Sequence, residues 1–295
     1  MVAGRPHLLI VNPSSGGGRA ADLLDEVERE LDKRHMVFRV VKSRNLEHGA
    51  EEARVAAGAG EVPVVISGDG LIGAVGGALA RTETPMGVIP GGRGNDFARV
   101  TGIPTSIPEA ISVLRRGEER RIDVGEVNGR RFLCIASAGF DSECNRLAND
   151  VKLIRGNLVY AYAALRTLIT WRAAAFTVTV DGVPHRHRGY SVAVANGGAY
   201  GGGMLMAPDA ELDDGLFDIV LTGEVGKLRF VANLPKVFKG THVRDDEVSV
   251  LRGSRVEIRS NRPFEVYADG EPLTQLPATL RVLRGALRLI APPLK

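Results

Sequence analysis

Two aspartates in this chain stand where a divalent cation could meet a phosphate. Val64-Val65-Ile66 runs into Ser67-Gly68-Asp69-Gly70, and Ile89 runs into Pro90-Gly91-Gly92-Arg93-Gly94-Asn95-Asp96. Each reads as a buried strand ending in a tight, acidic, glycine-flanked turn with backbone N–H groups free for phosphate. Two carboxylates beside such a cradle suit Mg²⁺ and a nucleotide, and so phosphoryl transfer. The plain alternatives are a common Asp-Gly turn at Asp69 and a helix cap at Asn95 or Asp96. The apolar strand before Asp69 and the helix after it favour a ligand, because open α/β sheets bind at the carboxyl ends of their strands. A third loop, Asn12-Pro13-Ser14-Ser15-Gly16-Gly17-Gly18-Arg19, lies between a strand and a helix. Its small residues allow close approach to phosphate, and they equally make an ordinary loop with capping serines. It is not a Walker A loop, lacking Gly-Lys-Ser/Thr, and no GxGxxG opens the helix.

The elements that must position these turns alternate. Strands are expected at His7–Val11, Val37–Val41, Val62–Ile66 and Met86–Ile89, and helices at Ala20–Arg34, Glu47–Ala59, Leu71–Ala80 and Pro108–Arg115. This βαβ rhythm implies a largely parallel sheet with helices on both faces. Beyond Ile122 the pattern changes. Asn128-Gly129 and Asp181-Gly182 read as hairpin turns. Phe176–Val180, Tyr190–Ala195, Phe217–Thr222, Glu247–Leu251, Arg255–Arg259 and Phe264–Ala268 alternate with period two, as antiparallel strands do. Helices are expected at about Leu153–Trp171 and Lys227–Phe238. The reading is therefore an α/β domain over 1–122 and a β-rich antiparallel domain over 123–283. A final strand in about 284–295 is free to return to the first domain.

The chain has 295 residues, 44% hydrophobic and 25% charged, with net charge +3. That is ordinary for a soluble globular protein with a sizeable core. Cys134 and Cys144 have no metal-ligand spacing and read as reduced, which fits the cytoplasm. No signal segment is visible, and no apolar run is long enough to span a bilayer. Arg115-Arg116, Arg120-Arg121 and Arg130-Arg131 make either a solvated basic face or a patch for anionic headgroups. The Leu153–Trp171 segment, with Lys152, Arg155, Arg166 and Arg172 around it, either packs on the sheet or docks on a membrane. His185 and His187 are given no ligand role. Met204 and Met206 are expected to pack between the domains.

The residues together carry a resemblance. Asn12-Pro13-x-Ser15-Gly16, Ser67-Gly68-Asp69-Gly70 and Gly91-Gly92-Arg93-Gly94-Asn95-Asp96-Phe97-Ala98-Arg99 are followed by Ile122-Asp123-Val124-Gly125, Tyr200-Gly201-Gly202-Gly203, Leu212-Asp213-Asp214-Gly215-Leu216-Phe217-Asp218 and Asp269-Gly270-Glu271. In this order, over nearly the whole chain, they resemble the diacylglycerol kinase catalytic family, the soluble bacterial lipid kinases that share their fold with sphingosine kinases. The resemblance implies a two-domain architecture related to NAD kinases. It implies an ATP- and Mg²⁺-dependent kinase acting on a lipid hydroxyl, diacylglycerol first, while attached peripherally to the membrane from the cytoplasm. It implies no nucleic-acid partner and leaves a homodimer open. It places Asp69 at the catalytic centre. Asn12, Ser15, Gly16, Ser43, Gly68, Gly70, Gly92, Arg93, Gly94, Asn95 and Arg99 go to the nucleotide, and Asp69 and Asp96 to the Mg-ATP site with Asp123 behind them. Glu271 becomes the base that takes the hydroxyl proton. Asp214, with Glu211 and Leu216, becomes a separate structural metal site.

The chain departs from the family at Leu71, where threonine is usual, and at Gly73-Ala74, where Asn-Glu is usual. These changes remove a hydroxyl and a carboxylate from beside the first turn. They keep two rivals in view: an NAD kinase-like phosphotransferase and a non-catalytic lipid- or nucleotide-binding protein.

Overall fold

Leu8, Leu9, Ile10 and Val11 have no exposed surface. A strand this apolar must be covered on both faces, which is the condition of a parallel sheet under helices. The computed structural model describes residues 5–150 and 158–293. It resolves into two units, Met1–Val124 with Arg284–Lys295, and Gly125–Leu283.

In the first unit β1 (His7–Val11) is followed by α1 (Arg19–Asp22), α2 (Leu24–Lys33), β2 (Phe38–Lys42), α3 (Leu46–Gly58), β3 (Val62–Ser67), α4 (Asp69–Leu79), β4 (Gly87–Pro90), α5 (Asp96–Thr101) and α6 (Ile107–Arg116). The strands pair in parallel in the order β2-β1-β3-β4. Leu24, Val27 and Leu31 of α2 pack with Ile107, Ile111 and Leu114 of α6 against Leu9, Val64 and Ile66. The opposite side of α2 is charged, as an amphipathic surface helix requires. The expected helix Ala20–Arg34 is interrupted at Leu23. The helix expected from Leu71 starts two residues earlier, so Asp69 is its first residue and Gly68 its cap. An acidic residue there meets the positive end of the helix dipole. At the chain's end, Met86 bridges Leu289 in parallel, and Ile290 donates its N–H to Met86 O at 2.9 Å.

β5 (Glu119–Val127) leads into the second unit, built from β6 (Arg130–Phe132), β7 (Ile135–Gly139), α7 (Phe140–Asp150), α8 (Leu158–Thr170), β8 (Ala174–Val180), β9 (Val183–Ala195), β10 (Phe217–Gly223), α9 (Lys227–Lys239), β11 (Val248–Gly253), β12 (Arg255–Ser260), β13 (Glu265–Ala268), β14 (Glu271–Gln275) and β15 (Ala278–Ile290). The paired strands are antiparallel, and β9 changes partners along its length. Its first half pairs with β8, and its second half with β7 and β10. The core between them holds Phe132, Phe176, Val192, Val194, Phe217 and Ile219. Of the helix expected at Leu153–Trp171, Lys152, Leu153, Ile154 and Arg155 lie outside the described residues, and the described part is α8. β7 and α7 carry no sequence signal of their own. Ile-Ala-Ser-Ala-Gly is too small for a visible alternation, yet all five residues are buried.

Candidate active site

The order β2-β1-β3-β4 reverses direction between β1 and β3, so the loops after these two strands flank the switch point where open α/β sheets bind ligands. The loop after β1 is held by Asn12, whose Oδ1 accepts from the Ser14 N–H at 3.1 Å and the Ser14 hydroxyl at 2.8 Å. Ser15 then reaches across, and its Oγ accepts the Gly68 N–H at 3.0 Å. The turn after β4 meets the turn after β3 backbone to backbone. A Cβ built on Gly92 would lie 2.4 Å from the Gly68 Cα. Asn95, in the left-handed region at φ 53°, accepts the Gly92 N–H at 2.8 Å and closes that turn. Asp69 Oδ1 accepts the Phe97 N–H at 2.9 Å, so the carboxylate leading α4 also caps α5. Burial pushes the Asp69 carboxyl above the usual carboxylate range, against N–H groups of Phe97, Asp96 and Asn95 that pull it down.

The structure therefore brings Asn12, Ser15, Gly68, Asp69, Gly92, Asn95 and Asp96 to one side of the parallel sheet, with Gly16, Gly70 and Gly94 in the same loops. Arg93 and Arg99 are exposed on the turn and on α5. Ser43 is a different matter. It is buried, and its hydroxyl donates to Val11 O at 3.2 Å, so it braces the end of β1. Asp123 is fully buried and accepts the Gly285 N–H at 2.6 Å, tying β5 to the returning chain. Leu71 is buried, with its Cδ1 2.5 Å from where a Cβ on Gly49 would be, so this position faces α3.

Glu271 belongs to the second unit. It opens β14 after a tight turn in which Asp269 and Gly270 have φ 51° and 87°. Asp269 accepts the N–H groups of Leu133 at 2.7 Å and Cys134 at 2.9 Å, which fixes the turn against the start of β7. Partial burial pushes the Glu271 carboxyl up. Asp214 spends one oxygen on the Leu216 N–H at 2.8 Å and the other on the Arg252 guanidinium, so an arginine supplies the positive charge there. Glu211 is exposed. Among the described residues no three His, Cys, Asp or Glu side chains cluster as a metal site.

A feature with no sequence signal lies beside β7. A cavity of about 640 Å³ opens within the second unit, walled by Phe140, Met204, Met206, Val225, Phe230 and Leu234. That volume is typical of a small-molecule site. The two methionines expected between the domains line this cavity. One polar wall carries Asp141, which is 8% exposed and lines the space with Asn145 and His242. Burial raises Asp141 to about 6, opposed by the hydroxyls of Ser191 and Tyr200. Burial also pushes the Cys144 thiol up, which disfavours the thiolate. Glu271 pairs with Ala268, which faces Ala136, whereas Asp141 stands two residues beyond Gly139. The two carboxylates thus lie toward opposite ends of β7, with roughly 10 Å of strand between Ala136 and Gly139.

Comparison with known proteins matches residues 6–127 to the diacylglycerol kinase catalytic domain and residues 134–291 to the YegS C-terminal NAD kinase beta sandwich-like domain. The chain is 34% identical to a diacylglycerol kinase of Mycobacterium tuberculosis (strain ATCC 25618 / H37Rv), over 96% of this chain and 94% of that protein. This chain belongs to the diacylglycerol kinase catalytic family. A Bacillus subtilis (strain 168) diacylglycerol kinase is 27% identical over 96% of this chain and 95% of its own length. A solved diacylglycerol kinase from Bacillus anthracis str. Sterne shares the fold at TM-score 0.76 and 23% identity, covering 98% of this chain and 97% of that one. An NAD kinase from Archaeoglobus fulgidus, solved with ATP, aligns at TM-score 0.51 and 14% identity over 97% and 93% of the two chains. The family member described here therefore has the fold of lipid kinases and, more distantly, of NAD kinases.

Proposed function

We propose that this lipid-kinase family member transfers the γ-phosphoryl group of Mg-ATP to the hydroxyl of diacylglycerol, giving phosphatidic acid. The observation that carries the choice of a lipid acceptor is the apolar cavity of the second unit, which a soluble dinucleotide does not need. The donor set of the first unit fits Mg²⁺. Asp69 and Asp96 lead two helices joined through the Phe97 N–H, and Mg²⁺ takes one or two carboxylates and fills its shell with water and phosphate oxygens. When bound there it would neutralise phosphate charge. The turns at Gly68 and Gly92 touch so closely that a Cβ on either would meet the other, and such small residues let backbone N–H groups approach phosphate. Glu271 takes the proton of the lipid hydroxyl. Its oxygen then bonds to the γ-phosphorus as the bond to the β-phosphate oxygen breaks, and ADP leaves.

The test is labelled ATP offered to mixed micelles containing diacylglycerol, with NAD in a parallel tube. Label in phosphatidic acid is the expected result, and Asp69→Asn is expected to abolish it. Label in NAD alone, or in neither, overturns the proposal.

A further inference from the structure

Asp141 is the second residue of α7, and it does not serve the helix. A carboxylate in the first turn ordinarily caps the helix or faces water. Here Ser142 makes the local bonds: the Gly139 N–H donates to its Oγ at 3.1 Å, and its hydroxyl donates back to Gly139 O at 2.8 Å. Asp141 is 8% exposed and lines the cavity of the second unit instead. The hydroxyls of Ser191 and Tyr200 donate to its carboxyl, yet its Oδ2 has no partner. Buried polar atoms are nearly always paired, so an unpaired one in a cavity wall points to a guest.

The surroundings identify the guest's polar group. α9 supplies a wall through Phe230, Leu234 and Val237, and none of its side chains is fully buried. His242, 5% exposed, also lines the space, and burial lowers its affinity for a proton. Asp245 and Glu247 are engaged by Lys236 at 2.7 Å and Arg229 at 2.6 Å, and Lys239 is exposed. Hydroxyls, not a cation, oppose the burial of Asp141, so its carboxyl keeps a proton up to about pH 6. Hydrocarbon that displaces solvent from the cavity disfavours the charged form further. The carboxyl then presents an O–H, and the guest must bring an acceptor or leave it bare. In an acylated glycerol the only acceptors beside the free hydroxyl are its ester groups. Glu271 lies toward the other end of β7, with roughly 10 Å of strand between. The two carboxyls are too far apart to act on one atom. They suit two groups of one lipid, since the free hydroxyl and the nearer ester carbonyl of a diacylglycerol are about 5 Å apart and the side chains span the rest.

We infer that Asp141 is a specificity residue that hydrogen-bonds an ester carbonyl of the acceptor, selecting ester-linked over ether-linked lipids. The placing of the free hydroxyl at Glu271 rests on the lipid-kinase reading; the ester contact is a matter of binding alone.

The test compares dioctanoylglycerol with dioctylglycerol, the diether that lacks only the two carbonyl oxygens. Both are offered to the whole protein in the same detergent micelles, at equal surface fraction and about pH 6. Binding is read from the fluorescence of Trp171, the single tryptophan, whose ring lies 5.5 Å from that of Phe140 in the cavity wall. Transfer is read from labelled ATP. Wild type is expected to bind the diester about tenfold more tightly and to show a similar preference in kcat/KM. Asp141→Leu should bring that ratio close to one, chiefly by weakening the diester. Asp141→Asn, whose amide still donates, should keep most of the preference. A purely structural Asp141 would affect both lipids alike. A wild-type ratio near one, a ratio unchanged in Asp141→Leu, or loss of preference in Asp141→Asn overturns the inference. The wild-type ratio decides by itself if the leucine variant does not fold. If the diester is preferred in binding but neither lipid is phosphorylated, this inference stands and the lipid-kinase reading falls. If both lipids are bound and phosphorylated equally, the lipid-kinase reading stands and this inference falls.

Discussion

Gly92→Ala tests whether the contact between the two glycine turns is what shapes the phosphate site. The added Cβ would lie 2.4 Å from Gly68 Cα, 3.0 Å from Asn95 Oδ1 and 3.2 Å from Gly68 N. Carbon atoms rest at about 3.5–4.0 Å, so the turns must part by more than an ångström. The nearest atom is backbone and has no rotamer by which to withdraw. Overpacking of this kind costs about 1–3 kcal/mol, which for a domain of this size lowers Tm by roughly 2–10 °C. A displacement of about 1 Å at a reacting centre lowers the rate about a hundredfold. The assay is kcat/KM for ATP with saturating lipid micelles, beside a thermal melt. Gly58→Ala, at the end of α3, is the control, since nothing lies within 4 Å of where its Cβ would be. A Gly92→Ala protein with wild-type kcat/KM would refute the reasoning. A lowered Tm with intact kcat/KM would show that the contact matters for folding alone.

Three further outcomes are expected. Glu271→Gln should lower kcat by about 10²- to 10⁴-fold while ATP binding, read by calorimetry, stays the same. Because burial raises the Glu271 carboxyl, the acid limb of the wild-type pH–rate profile should fall above the usual carboxylate range, as protonation removes the base. Asp141→Asn should stabilise the protein near neutral pH. A carboxyl raised from 3.8 to about 6 binds its proton more tightly folded than unfolded, so wild type loses stability as pH rises through that window. The loss is on the order of 3 kcal/mol, and melts should show the variant's advantage opening between about pH 4 and 6 and vanishing below. Leu71→Thr restores the residue usual in the family, yet it should cost about 2 kcal/mol and leave ATP affinity unchanged, because this position packs against α3. Urea melts and ATP calorimetry check both halves.

The parallel half of the fold could be read from the sequence because β1, β3 and β4 are apolar almost throughout and its turns rich in glycine. Asp69 and Asp96 were visible for the same reason: each stands in the glycine-rich turn that follows a buried strand. The start of α4 was misplaced by two residues, since Asp-Gly scores as a turn until the helix dipole is considered. β7 and α7 were not visible. Small residues such as Ala136, Ser137 and Ala138 show no alternation, and the cavity beside them is built from segments far apart in sequence. Ser43 and Asp123 follow the family pattern in the chain, but only coordinates reveal that their polar atoms turn inward to Val11 and Gly285.

The absence of any buried side chain in α9 has an evolutionary consequence. Eight of its thirteen residues line the cavity and none is fully buried; apart from Phe230, which packs on Phe140 and Tyr190, they are free to drift. Preference for tail length or saturation in whatever amphiphile enters can change there while the phosphate-handling turns stay fixed. Transplanting this one segment between relatives should carry the preference with it and leave the catalytic rate of the recipient intact.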